Sequence, residues 1–308
     1  MPFLIIGSAV LLCFVAVIMY FFSIAFVKQN FSDVDDLDSK TNEPIAEYKG
    51  KIKSGMDYIT ARDYKWVKTV SYDGLELAAR YFDNGEKKTV ILFHGYRSSA
   101  LRDFSCAVEM YTKMGFNVLL CDQRSHGRSQ GRLITFGVKE SCDVVSWVEF
   151  ANAHFDPEKI VLGGMSMGAT TVLLSLKYNL PDNVKAVVAD CGFTSPVAII
   201  KKVARQHFRI NATFFIPFLN IACLIIGNFS ITKDSTVQTV KNSNIPIMLI
   251  HGENDNFVPC DMSRETIKEA GENCKLLIIK DADHGLSFLV DEQKVVKEIG
   301  SFLEENLV

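Results

Sequence analysis

The chain has 308 residues, with 33 Lys and Arg against 36 Asp and Glu, a formal net charge of −3, 48% hydrophobic residues and 22% charged ones. That apolar content excludes wholesale disorder, and the near-neutral balance, with a pI near 6.1, leaves no electrostatic footprint for nucleic acid. The length suits a single large α/β domain, and the positive mean hydropathy of +0.14 is concentrated at the front of the chain.

Residues 3–27 carry no charge and consist mainly of Leu, Ile, Val, Phe and Ala. A helix needs about 20 such residues to cross a hydrocarbon core. A cleaved signal peptide is the rival reading. Against it, no Lys or Arg precedes the run, and the run exceeds the roughly 7–15 residues of a signal h-region. The expectation is a retained single-pass membrane anchor over residues 1–27. Lys28 and Lys40 follow it, so the positive-inside rule leans weakly towards a cytoplasmic body. The eight cysteines lean the same way, because their spacing resembles neither a disulfide scaffold nor a zinc site. Residues 28–60 are acidic at Asp33, Asp35, Asp36 and Asp38 and then lysine-bearing. They read as a juxtamembrane connector, a solvated tether with room for one short helix.

Over 61–308 the pattern alternates strands and helices. Residues 65–72 and 75–82 flank Asp73-Gly74, a hairpin turn signal. Short apolar runs at 90–93, 118–121, 160–162, 186–189, 247–250 and 276–279 suit strands buried on both faces. Helical stripes lie between them: Leu101, Phe104, Val108 and Tyr111; Val144, Val145, Val148 and Ala151; Ala169, Val172, Leu173, Leu176 and Leu180; Val295, Val296, Ile299, Phe302 and Leu303. A hairpin followed by repeated βα units predicts a mostly parallel sheet between helical layers, with its site at the carboxyl ends of the strands. Residues 193–240 break the alternation, and 211–232 contain no charge. Pro217, Asn220 and Asn228 interrupt a second membrane span there, which would also split the sheet. The segment therefore reads as an inserted apolar lid.

The chemistry concentrates at Gly164-Met165-Ser166-Met167-Gly168, which follows the apolar run 160–162 and opens a helical stripe. In Gly-x-Ser-x-Gly the serine occupies a strained strand-to-helix turn, and the flanking glycines remove side chains that would clash there. The helix start also aims free N–H groups at the reacting centre. A serine hydroxyl needs a base within hydrogen-bond reach. Two further strand ends supply partners: His251-Gly252-Glu253-Asn254-Asp255 and Asp281-Ala282-Asp283-His284-Gly285. The resulting order Ser166, Asp255, His284 is the one that accompanies this turn.

These residues resemble the α/β-hydrolase superfamily from about Tyr64 to the C-terminus, most closely its esterase/lipase and serine-aminopeptidase-like branch. The resemblance rests on His94-Gly95-Tyr96, the Gly164–Gly168 motif, the acid loop running to Val258-Pro259, and Asp122-Gln123-Arg124-Ser125-His126-Gly127-Arg128-Ser129. In the last motif Ser125 stands where the family usually has Gly. The resemblance implies an α/β-hydrolase fold with a mostly parallel eight-stranded sheet. It implies nucleophilic attack by Ser166, proton transfer by His284 and orientation of His284 by Asp255. It also assigns the oxyanion donors to the backbone N–H groups of Tyr96 and Met167, with Gly164 and Gly168 shaping the nucleophile elbow.

Other residues call for structural readings. His94 and His251 precede glycines at strand ends and brace loops. Asp190 is the runner-up acid, and His126 orders its loop. His154 and His207 lie on the surface, Cys121 and Cys191 pack at strand ends, and for Arg97 and Arg124 a structural carboxylate partner is preferred over an anionic group of the substrate. No metal-ligand spacing recurs, and no cofactor is implied. The expected function is a membrane-anchored serine hydrolase acting on carboxylic esters or thioesters, with small-molecule acyl esters or lipid-like molecules as substrates and hydrophobic acyl groups preferred. An aminopeptidase or amidase is the alternative, disfavoured because the charges over 193–232 are all basic (Lys201, Lys202, Arg205, Arg209). A non-catalytic membrane-tethered binding protein ranks below both, since no member of the triad is missing.

Overall fold

The computed structural model describes residues 2–29, 35, 37 and 43–307. Asp33, Asp36, Asp38 and Lys40 of the expected connector lie outside the described residues.

Eight strands form one sheet: β1 (Lys65–Val70), β2 (Glu76–Phe82), β3 (Lys88–Phe93), β4 (Asn117–Asp122), β5 (Lys159–Met165), β6 (Val184–Asp190), β7 (Ile247–Gly252) and β8 (Cys274–Ile279). Their order is β1-β2-β4-β3-β5-β6-β7-β8. The pairs β1–β2 and β2–β4 are antiparallel, and the others parallel. The β1–β2 turn is Asp73-Gly74, with Gly74 at φ +85°. Every residue of β4 and β7 is buried, as the unbroken apolar runs require when helices cover both faces.

Side chains alternate along each strand and feed two cores. On one face Val90, Leu92, Val118 and Leu120 meet Val295, Ile299 and Phe302 of the C-terminal helix Glu292–Asn306. On the other, Ile91, Phe93 and Leu119 meet Val144 and Trp147 of helix Glu140–Phe155 and Ala169 and Val172 of helix Met167–Ser175. The stripe Leu101–Tyr111 is split between helices Ala100–Asp103 and Ala107–Lys113. Ser105 in the break is packed against Gly55 so closely that a Cβ there would lie 2.3 Å from the Ser105 carbonyl oxygen. Gly55 belongs to helix Lys49–Ala61, whose Ile52 and Ile59 are buried. This half of the expected tether is therefore packed on the body rather than solvated.

The insertion between β6 and β7 holds helices Pro196–Phe208, Ile216–Gly227 and Thr236–Lys241. The first is capped by Ser195, which accepts from the Ala198 N–H at 3.1 Å, with Pro196 in its first turn. Together with the long N-terminal helix Pro2–Phe26 it builds a third core over the carboxyl ends of the strands. There Ile18, Phe22 and Phe26 meet Phe136, Met167, Phe193 and Leu219. Among the described residues, 6–26 form the one helix long and apolar enough to cross a membrane, with mean hydropathy 2.7. A signal sequence shares those properties. Its first half projects Ile6, Val10, Leu11 and Leu12 outward. Its end is tied down by hydrogen bonds from Ile134 N–H to the Phe26 carbonyl (2.7 Å) and from Lys28 N–H to the Arg132 carbonyl (2.8 Å).

Arg124, after β4, is 2% exposed and links three elements. Its Nε and Nη2 each lie 2.6 Å from Asp143 on helix Glu140–Phe155, and Nη1 donates to Asp73 in the β1–β2 turn at 3.0 Å. Removing one partner of a buried pair strands the other charge, at a cost of about 3–5 kcal/mol. Arg124→Ala should destabilise the chain by that amount in chemical denaturation, and Arg124→Lys, which lacks the planar fork, should recover only part of the loss.

Candidate active site

Ser166 sits between β5 and helix Met167–Ser175 at φ +54° and ψ −114°, a conformation that costs a non-glycine residue energy and persists only where its surroundings enforce it. Those surroundings are backbone. A Cβ on Gly164 would lie 2.2 Å from the Gly168 carbonyl oxygen, and one on Gly168 would lie 1.7 Å from that of Phe93 in β3. Only glycine permits this crossing, and the Ser166 N–H donates to the Asp190 carbonyl in β6 at 2.8 Å.

Asp255 and His284 follow β7 and β8 and reach the same place. Ser166 Oγ lies 2.9 Å from His284 Nε2, and His284 Nδ1 lies 2.7 Å from Asp255 Oδ2. Asp255 Oδ1 accepts from the N–H groups of Phe257 and Val258 at 2.9 and 2.8 Å. Burial alone would raise the Asp255 pKa, but hydrogen bonds from His251 and His284 outweigh it and hold the carboxyl below its usual range.

His251 was expected to brace a loop, and its bracing reaches the acid itself. Its Nε2 lies 3.2 Å from Asp255 Oδ2 and 2.8 Å from the Val258 carbonyl, while Nδ1 lies 2.7 Å from Ser263 Oγ. Asp190, the runner-up acid, accepts from Ser287 Oγ at 3.1 Å. The carboxylate at His284 Nδ1 is that of Asp255. His94 and His126 join loops: His94 Nε2 accepts from Gln123 N–H and His126 Nε2 from Arg97 N–H, both at 3.1 Å. Burial pushes their pKa values down to about 4 and about 3. His154 and His207 are exposed, and Cys121 and Cys191 are buried.

The Met167 N–H heads its helix and so has no intrahelical acceptor. Tyr96 follows Gly95, where a Cβ would come within 3.4 Å of Ser166 Cβ. The loop carrying the Tyr96 N–H therefore passes directly beside the serine. Asp103 shapes this loop by accepting from Gly95 N–H at 2.7 Å and from Ser98 Oγ at 2.5 Å. Sequence reasoning missed Asp103, which sits inside an otherwise apolar helical stripe. Arg97 also reaches the N-terminal helix, where the backbone carbonyls of Ile24 and Val27 receive its Nη2 at 2.5 and 3.4 Å.

Two cavities meet at Ser166. The larger, about 930 Å³, is bordered by His284, Asp103, Arg102, Ser98 and Asn256. The smaller, about 240 Å³, runs among Tyr96, Phe136, Phe193, Ile199 and Phe215. One group of possible metal ligands occurs among the described residues: Cys191, Asp255 and His284, with ligand atoms within 4.8 Å of one another. Burial pushes the Cys191 thiol well above its usual range, which opposes the thiolate a metal needs, and the other two groups already bond each other.

This fold and site define an α/β hydrolase. A model described as alpha/beta hydrolase fold matches residues 88–233, and one described as TAP-like protein matches 221–307. The chain belongs to the α/β-hydrolase superfamily. It is 26% identical to the Pyrococcus furiosus esterase Pf2001, whose structure aligns over 82% of this chain and 96% of that one with a TM-score of 0.66. It is 23% identical over 217 residues to the uncharacterized protein YqkD of Bacillus subtilis, covering 70% of this chain and 71% of that protein. It is 27% identical over 135 residues to the thiohydrolase aneE of Aspergillus aculeatus, covering 42% of each.

Burial raises the Asp190 pKa from 3.8 to about 6. Between those values the folded chain keeps a proton that the unfolded chain has lost, so this group makes stability fall as pH rises through the interval. Asp190→Asn removes the titration and keeps an acceptor for Ser287. The variant should match the native chain near pH 4 and exceed it above about pH 6, by at most about 3 kcal/mol at 1.36 kcal/mol per unit. Urea unfolding at the two pH values checks this.

Proposed function

We propose that this chain is a membrane-anchored serine hydrolase that cleaves carboxylic esters or thioesters through an acyl-enzyme. The observation that carries the proposal is the unbroken series Ser166 Oγ, His284 Nε2 at 2.9 Å, and Asp255 Oδ2 at 2.7 Å from His284 Nδ1. In this reading His284 takes the Ser166 proton as Oγ attacks the acyl carbonyl. The N–H groups of Tyr96 and Met167 receive the developing oxyanion, where each such donor is worth roughly 3–4 kcal/mol. His284 then passes the proton to the leaving oxygen or sulfur, whose bond to the acyl carbon breaks. Water, deprotonated by the same imidazole, attacks the acyl-enzyme and regenerates Ser166. Asp255 stays ionised throughout, fixing the tautomer and stabilising the imidazolium.

The similarity to the esterase Pf2001 and the thiohydrolase aneE supports acyl transfer to water from oxygen or sulfur leaving groups. The apolar helices inserted between β6 and β7 act as a lid in this reading, and the helix Pro2–Phe26 as the membrane anchor. A fluorophosphonate probe should label the native chain and leave Ser166→Ala unlabelled. Asp255→Asn should lower kcat for an acyl ester by a factor on the order of 10⁴, while Asp190→Asn should stay within about threefold of the native rate. Labelling of Ser166→Ala, or a greater loss in Asp190→Asn than in Asp255→Asn, would overturn these roles.

A further inference from the structure

The smaller cavity at Ser166 has a wall that does not come from the hydrolase body. Ile18, Phe21, Ile24 and Ala25 of the N-terminal helix line it, opposite Ile199 and Phe215 of the insertion. We infer that this helix is the specificity wall of an acyl-chain channel, so that the long acyl group of the substrate lies between the N-terminal helix and the inserted helices. The inference rests on the serine-hydrolase reading for the identity of the reacting bond, and on the cavity for the rest.

Three observations carry it. First, the two cavities meeting at Ser166 differ in chemistry: the larger has Asp103, Arg102, Ser98 and Asn256 among a mainly apolar lining, whereas aliphatic and aromatic side chains line nearly all of the smaller. A channel of that kind favours an alkyl chain and leaves the polar leaving group to the other side. Second, the wall is fixed in place. The last-turn carbonyls of the helix, at Ala25 and Ile24, accept from Tyr96 Oη at 2.9 Å and Arg97 Nη2 at 2.5 Å. Tyr96 is also the residue whose N–H faces the reacting carbonyl in the proposed mechanism. Third, the two helices meet along this cavity in an edge-to-face pair, Phe21 and Phe208, which both line it, with ring centroids 5.4 Å apart. Phe208 is 41% exposed, which places this pair at the surface.

The test uses the full chain in phospholipid nanodiscs and reads the ratio of kcat/KM for dodecanoyl over acetyl nitrophenyl esters. Ile24→Trp, which fills the channel, should lower the ratio at least about tenfold, the smallest effect that about one methylene of pocket space carries. Phe21→Ala, which opens it, should move the preferred acyl length upward. Leu12→Ala, on the outward face, should leave the ratio unchanged. A ratio within about twofold of native in both channel variants overturns the inference while leaving the serine chemistry standing. A second readout needs no turnover: on a Ser166→Ala background, a fluorescent dodecanoate should bind, and adding Ile24→Trp should raise its Kd at least about tenfold. If no ester is cleaved but this binding and its loss are seen, the serine reading falls and the channel stands. Absence of dodecanoate binding sinks the channel.

Discussion

The constraint on which this molecule depends is the backbone crossing at Gly168 and β3. The turn after β5 approaches Phe93 so closely that a single added carbon would overlap the Phe93 carbonyl oxygen, at 1.7 Å. This contact seats helix Met167–Ser175 against the sheet and leaves Ser166 no conformation but the strained one at φ +54°. The hydroxyl is thereby lifted out of the turn to meet His284. Strain of this kind is maintained by the rest of the fold, here by β3, β5 and β6 together, since Ser166 N–H is also held by the β6 carbonyl of Asp190.

Much of this is legible in the sequence, and for a local reason. A turn that tolerates only glycine at two positions writes its geometry into five consecutive residues, and strand ends mark themselves where apolar runs stop. Ser166, Asp255 and His284 are therefore identifiable at three separate strand ends, and the structure brings them together. Interactions with backbone leave no such trace. The Arg97 Nη2 meets the carbonyls that end a helix, a contact that its sequence surroundings do not announce. The inward face of the N-terminal helix is equally silent. In a segment apolar on every side no periodicity distinguishes Ile18, Phe22 and Phe26, which are buried, from Leu11 and Leu12, which are exposed. Helix Lys49–Ala61 hides for the opposite reason. Its buried Ile52 and Ile59 are diluted among lysines and small residues, a composition that resembles a solvated linker.

The polar groups around the serine form a scaffold of neutral histidines. His94 and His126 each receive one N–H at Nε2 and face a carbonyl from Nδ1, at Gly95 and Arg124 respectively, both at 2.9 Å. Such a ring must donate at one nitrogen and accept at the other, which only the neutral form can do. Burial supplies that form by driving both pKa values far below neutrality. The two rings also meet edge to face, with centroids 4.8 Å apart. The loops after β3 and β4 are thus locked to each other, and the Tyr96 backbone is set beside Ser166. His251 performs the corresponding task at the acid, where its shared hydrogen bond helps keep Asp255 ionised.

The same loop also bears the end of the N-terminal helix, and magnitudes decide whether that junction is loose or firm. The last turn of a helix leaves carbonyls without intrahelical donors, and this one has no basic side chain of its own in that turn. Tyr96 and Arg97 supply the donors. Pulling the helix away would unpair those groups, at about 1–3 kcal/mol for each left buried. It would also expose Phe22 and Phe26, each worth about 1.5–3 kcal/mol of burial. The sum is several times the thermal energy, so a freely pivoting tether is excluded. The helix is part of the wall around Ser166, and whatever environment surrounds its exposed apolar half is mechanically connected, through two hydrogen-bonded residues, to the loop beside the serine.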